Sequence, residues 1–229
     1  VDHEYTARAH GGDGTVPLKR VLDAAHALDA HIVLLVGDTY DCHKVPVDLV
    51  RRTGDLIRDF ARPVIMLPGN HDPATDDAVW HAAGLAEIAN LHILGVTHDE
   101  GVVFEDFDLE IWGRPHRDYG DMVPLEAPRP RRTRWQVALA HGHFDPVPNR
   151  QVRPRASWLI GDDEITATGA DYLALGHWNR AVQVGTGPVP AYYSGSPDYA
   201  RTVNLVRLQG SGAVCVERHP IHWPEAPED

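Results

Sequence analysis

Four short polar clusters stand out in the sequence, and each directly follows an apolar run. Gly37-Asp38-Thr39-Tyr40-Asp41 follows residues 32–36, and Pro68-Gly69-Asn70-His71-Asp72 follows residues 63–67. His141-Gly142-His143 follows residues 137–140, and Gly176-His177-Trp178-Asn179 follows residues 172–175. These residue types suit a metal centre. A carboxylate can bridge two cations, an amide oxygen is a hard neutral ligand, and imidazoles suit manganese, iron or zinc. Glycine before Asp38, Asn70 and His177 lets the backbone turn sharply and approach a site closely. Taken singly, each cluster has a plain structural reading as a strand-ending turn, a helix cap before Pro73, or loop histidines. Their recurrence after four buried runs argues for one shared site. Spacing alone leaves open whether His141 or His143 is the ligand.

The elements that must carry these clusters follow from periodicity. Leu18, Val21, Leu22, Ala25 and Leu28 recur at helical spacing behind Thr15, a candidate cap, and Pro17. The run 32–36 reads as a strand buried on both faces. Residues 47–60 predict a second helix with Val50, Ile57 and Phe60 inward, and residues 63–67 a second buried strand. Strand, helix, strand at this spacing is a βαβ unit and implies a parallel pair. A short helix is expected near residues 78–90 and a strand at 91–94. Residues 102–104 and 109–112 read as a hairpin around Asp106. The stretch 114–134 is proline-rich and irregular, which marks a functional or mobile loop. Strands at 137–140 and 172–175 run into His141 and Gly176. Four further short strands are expected at 181–184, 191–193, 203–208 and 213–218, the last two joined by a Gly210-Ser211-Gly212 turn, and then a frayed tail from 224 to 229. Ligands in such sheets collect at the carboxyl ends of the strands. The chain reads as a single α/β domain spanning residues 1–229.

Composition narrows the function classes. The chain has 229 residues, 43% of them hydrophobic and 24% charged, as in an ordinary soluble globular protein. No apolar run is long enough to span a bilayer, and nothing in these residues marks a signal peptide. Cys42 and Cys215 form no CxxC pair, which fits a reducing cytoplasmic setting. The net charge of −12 weighs against autonomous DNA binding, because phosphate neutralisation supplies much of that affinity. Arg129, Arg131, Arg132 and Arg134 are the local exception, read here as a solvated loop between prolines.

GDTYD, GNHD, the strand-borne HGH and GHWN resemble the successive motifs of calcineurin-like metallophosphoesterases. DYLALGHWNR followed by YYSGSPDY, and the GRPHRDYGDMVPL segment, resemble more narrowly the SbcD/Mre11-like DNA-repair exonuclease branch. The likeness covers roughly residues 18–220. It implies a four-layer αββα sandwich with two mixed β-sheets and two metals at its edge. By the same resemblance, Asp38 is the bridging carboxylate, and Asn70, His141 and His177 complete one metal site. His71 is the histidine that protonates the leaving oxygen, and Asp72 orients it by a hydrogen bond.

The sequence departs from the family pattern twice. The family's opening Asp-x-His motif is not found; Asp2-His3 has the wrong spacing, and the motif is expected upstream of Val1. The final motif, normally GHxH, ends here in Asn179, a weaker donor than imidazole. Both departures fall on the same metal, so one firm site and one weak site are expected, with manganese the first choice of ion and iron or zinc the others. The function so implied is phosphoester hydrolysis by metal-activated water, with His71 as general acid. The alternative is a catalytically weakened scaffold that binds phosphate or a protein partner. The DNA-capping domain of the exonuclease branch is not apparent, nucleic acid is not favoured as a substrate, and an SMC-like ATPase partner is left open.

Overall fold

The computed structural model describes residues 1–42, 44–151 and 156–223. The first elements are helices α1 (Glu4–Ala9) and α2 (Val16–Ala27), strand β1 (Val33–Val36), helix α3 (Val47–Phe60) and strand β2 (Val64–Leu67). Strands β3 (Leu91–Ile93), β4 (Gly101–Phe104), β5 (Leu109–Gly113), β6 (Trp135–His141), β7 (His143–Phe144) and β8 (Leu159–Ile160) follow. Then come α4 (Asp162–Ala167), β9 (Tyr172–Gly176), β10 (Val182–Val184), β11 (Ala191–Tyr193), α5 (Pro197–Ala200), β12 (Thr202–Leu208) and β13 (Val214–Pro220).

Two sheets carry the architecture. One is three-stranded and parallel, in the order β1-β2-β3. The other is six-stranded, in the order β10-β11-β9-β6-β5-β4. Its four inner strands run parallel, and β10 and β4 close it as antiparallel edges. The alternation of side chains along each strand sorts them into layers. Val64 and Met66 of β2 pack with Leu22, Val50, Ile57 and Phe60 of α2 and α3. Ile65 and Leu67 point the other way and meet Val137 and Leu139 of β6. Ala138 and Ala140 face outward again, against Ile160 and the Ile165 of α4. The result is the helix-sheet-sheet-helix sandwich that the sequence implies. Fully burying each of Ile57, Ile65 and Leu139 is worth roughly 1.5–3 kcal/mol.

Helix α3 shows how the sequence fixes its place. Leu49, Val50, Thr53, Gly54, Ile57 and Phe60 form its buried stripe. Gly54 sits where a Cβ would lie 2.9 Å from Ile88, so its side is the one that presses on the loop before β3. Ala61 ends the helix in the left-handed region.

Some local expectations are corrected. Residues 78–90 form two single 3₁₀ turns, Val79–His81 and Leu85–Glu87, in place of one helix. Gly84, left-handed at φ 69°, separates them. Thr15 does not cap α2 with its side chain; its hydroxyl donates instead to Asp13 at 2.7 Å. In β1 only Val33 is fully buried, because this strand lies at the edge of its sheet. The 114–134 stretch contains no helix or strand. The expected tail, 224–229, lies outside the described residues. Among the described residues no helix is long and apolar enough to cross a membrane.

The arginine run is tied into the protein. Arg129 and Arg132 both pair with the fully buried Glu110, Arg131 pairs with Asp171 at 2.8 Å, and Arg134 bonds the Gly210 carbonyl. Glu110 also accepts from Gln136. A buried carboxylate needs such partners, so these guanidinium groups are structural clamps.

Candidate metal centre

β1, β2, β6 and β9 run into the four polar clusters. The carboxyl end of β1 meets those of β6 and β9 across the two sheets. His141 and Gly176 are register partners at the ends of β6 and β9. A Cβ on Gly176 would lie 1.6 Å from the Val36 carbonyl oxygen, at the last residue of β1 in the opposite sheet. Only glycine permits that approach. The chain then bends sharply: Gly37 has φ 80°, Asp38 φ 52° and His177 φ 101°. A side chain in the left-handed region costs of order 1 kcal/mol or more and persists where the surroundings enforce it.

His141 is the centre of the cluster and is 1% exposed. Its Nδ1–H donates to the Val36 carbonyl at 2.8 Å, which fixes the tautomer and turns Nε2 into the site. Nε2 lies 3.0 Å from Asp38 Oδ2 and 3.0 Å from Asn70 Oδ1. The His177 ring stands 5.3 Å away, and one ligand atom each of Asp38, His141 and His177 fall within 4.8 Å of one another. A neutral imidazole lone pair facing two oxygen acceptors is unfavourable unless a cation lies between them. A proton is one such cation, and a divalent metal is another.

The electrostatics say the same. Burial works to lower the His141 pKa, but the hydrogen bond and charge of Asp38 outweigh it and raise it. Burial works to raise Asp38, yet His141 and the His71 backbone N–H hold it down at about 2. Burial, with the neighbouring charge of His141, lowers His177 to about 4, which keeps it neutral and its lone pair available. One hard carboxylate, one amide oxygen and two imidazoles are a suitable donor set for manganese, iron or zinc. The residues fit a bound divalent ion.

The two residues expected to do acid–base work part company. His71 is exposed; its backbone N–H donates to Asp38 Oδ1 at 3.0 Å. Its Nδ1 lies 3.0 Å from the Asp41 carbonyl and 3.5 Å from Asp41 Oδ1. Asp72, expected to orient His71 by a hydrogen bond, turns inward and is fully buried. Its carboxylate accepts from the backbone N–H groups of Asp38 at 3.1 Å, Tyr40 at 3.0 Å and Gly69 at 2.7 Å. Asp72 therefore ties the loop after β1 to the loop after β2, and Asp41 holds the histidine. Burial and the nearby Asp38 charge push Asp72 up to about 7, against the pull of those donors.

The remaining histidine and asparagine lie at the margin. His143 accepts the indole N–H of Trp178 at 3.0 Å and faces the His177 ring at 6.5 Å. Asn179 is exposed, and its backbone carbonyl accepts from Ser196 at 3.1 Å. Trp178 stacks on Tyr193 at 4.5 Å, and Tyr193 in turn donates to the Gly142 carbonyl at 2.7 Å. So His141 and Asp38 meet with Asn70 and His177, whereas Asn179 projects at the surface.

Two further residues stand at the site: His116, inside the GRPHRDYGDMVPL segment but not singled out within it, and Trp158, which carried no sequence signal. His116 is buried; its Nε2–H donates to the His141 carbonyl at 2.9 Å, and its Nδ1 has no partner among the described residues. Trp158 packs its ring 5.4 Å from His116 and 5.8 Å from His177. Both come from irregular segments, where no periodicity marks an inward position.

The chain is a layered α/β sandwich with carboxylate, amide and imidazole groups gathered at its strand ends, a set that could hold a metal ion. The family model of calcineurin-like phosphoesterases matches residues 9–180, well over half the chain, and the protein belongs to that family. Among solved structures, one crystal structure superposes with a TM-score of 0.61 at 11% identity, covering 90% of this chain and 93% of its own. The protein TT1561 of Thermus thermophilus gives a TM-score of 0.58 at 10% identity, with 90% and 93% covered. At such identities the likeness extends to the fold. No curated protein sequence matches the chain.

Proposed function

We propose that this protein hydrolyses phosphoester bonds with a divalent ion held by Asp38, Asn70, His141 and His177. The observation that carries this is the pair of oxygen acceptors, each 3.0 Å from a His141 Nε2 whose other nitrogen already donates. An ion bound there supplies Lewis-acid polarisation of the phosphoryl group and a water of lowered pKa. The chain's own residues do the rest. Asp38 lies between the imidazoles and the His71 backbone, so it fixes the ligand set against the acid–base residue. His71 Nδ1–H donates to the Asp41 carbonyl, so that in the imidazolium form the Nε2–H is left to protonate the departing ester oxygen. His116 holds the His141 main chain from behind. Asn179, at the surface, is the weaker donor to a second ion.

Manganese is the proposed ion, and a small phosphodiester or phosphomonoester the proposed substrate. The acidic balance and the internal pairing of Arg129, Arg131, Arg132 and Arg134 support a small substrate over duplex DNA. The GHWN and YSGSP segments still support kinship with the DNA-repair exonuclease branch, and with it an SMC-like ATPase partner. The test is turnover of bis-p-nitrophenyl phosphate and p-nitrophenyl phosphate with manganese, beside D38A. Turnover that needs the metal and Asp38 is expected. A folded, metal-loaded protein that turns over neither compound would overturn it in favour of a phosphate- or protein-binding scaffold, the reading that an exposed Asn179 in place of an imidazole favours. A gel shift at low salt with short duplex DNA separates the nuclease reading; retardation there would overturn the small-substrate preference.

A further inference from the structure

Trp158 is held in place from every polar atom it has. Its backbone N–H donates to Asp121 Oδ1 at 2.9 Å, and its indole N–H donates to the Gly120 carbonyl at 2.8 Å. Its carbonyl accepts from the His143 backbone N–H at 3.0 Å. Gly142 makes room for that last contact, since a Cβ there would lie 2.0 Å from the Trp158 oxygen. The residue sits at φ 45°, a conformation an aromatic side chain adopts only under constraint. The Asp121 carboxylate also takes the Ser157 N–H at 3.1 Å, so the 118–121 turn and the 156–158 segment are stitched together.

All this fixes a ring that lies outside the three hydrophobic cores. Trp158 is half-buried and belongs to none of the core clusters among the described residues. Its plane stands 72° to the His177 ring and 70° to the buried His116 ring. Here the chain adopts a left-handed backbone to set it rigidly beside a metal-ligating imidazole.

We propose that Trp158 is a specificity-determining residue, forming the wall against which a planar aromatic substituent of the phosphoester, such as a nucleobase, stacks. The inference rests on the phosphoester reading above. Stacking suits this site better than charge recognition, because the protein is acidic overall and Arg129, Arg131 and Arg132 are paired with Glu110 and Asp171. Stacking on an aromatic side chain is commonly worth a factor of about ten or more in affinity.

The test is calorimetric titration of the manganese-loaded full chain with inorganic phosphate, methylphosphonate and phenylphosphonate, whose C–P bonds it cannot hydrolyse. Phenylphosphonate is expected to bind about tenfold tighter than methylphosphonate. W158L should bring that ratio close to one, and W158F should retain most of it. The ratio is the readout because general damage to the site would weaken all three probes alike. Equal binding of methylphosphonate and phenylphosphonate by the unaltered protein, or an unchanged ratio in W158L, would overturn the proposal. Failure of inorganic phosphate to bind at all would overturn the phosphoester reading and this inference with it.

Discussion

The two sides of the metal centre are built differently. On one side, Asp38, Asn70, His141 and His177 stand at the ends of strands, and His141 is sealed from solvent. On the other, His71, Asp41 and Asn179 sit on exposed turns. The buried side is set by backbone hydrogen bonds and by glycines that no other residue could replace. The exposed side is held by a histidine–aspartate contact and a surface asparagine. On the proposed function, ion binding falls to the rigid scaffold and proton transfer to groups that meet water. Preorganised ligands and accessible acid–base groups make opposite demands on burial, and this fold meets them within a few residues of each other.

The contrast can be broken from the buried side first. D38A should remove bound metal and reduce turnover to background; metal content by elemental analysis, read beside activity, checks both. H71A should lower kcat about 10²–10⁴-fold while metal content stays unchanged. D41A should follow in the same direction by roughly 10–100-fold. If H71A releases the metal, the division between the two sides is wrong.

Asp72 sharpens the comparison, because it neighbours His71 but belongs to the scaffold. D72A strands three backbone N–H groups and should cost about 4 kcal/mol, or a fall in Tm on the order of 10 °C. Thermal unfolding measures it, and a D72A protein with normal Tm but slow turnover would return Asp72 to the acid–base role. N179H should tighten a second manganese ion severalfold in titration, leaving the first unchanged.

The smallest effect is in pH. Asp72 is raised to about 7 in the fold, and His141 is raised above its ordinary value. Both bind protons more readily folded than unfolded, so their contribution falls as pH rises through those values. His116 and His177, lowered to about 4, act in the opposite sense, but only between about 4 and 6.5. Above about pH 6.5, where those two no longer oppose it, the metal-free protein should thus lose stability as pH rises through about 7 and as His141 gives up its proton. Manganese should flatten or reverse that slope, because its ligands bind it deprotonated. Melting curves with and without the ion decide it.

Much of this was legible from sequence, and the reasons are local. Helix α3 falls on residues 47–60 as its apolar spacing predicts, because a buried stripe that runs the length of a helix is hard to imitate. The four polar clusters were visible because each follows an apolar strand. Helix α1 escaped because it has no buried residue and so no periodic face. Helix α4 and strands β7 and β8 are too short to show a period. The exchange of Asp72 for Asp41 could not be read from GNHD, since which carboxylate meets His71 depends on how two loops cross. Trp158 and His116 belong to segments whose conformation comes from tertiary hydrogen bonds alone.

The hydrogen bond from His141 to the Val36 carbonyl joins one sheet to the other at the point where the ligands gather. An ion seated there is consequently also a rivet between the two halves of the sandwich. Stripping it with a chelator would do more than silence chemistry: it would let the seam open from this end, and backbone amides just beyond β1 would be the earliest to trade their hydrogens with solvent.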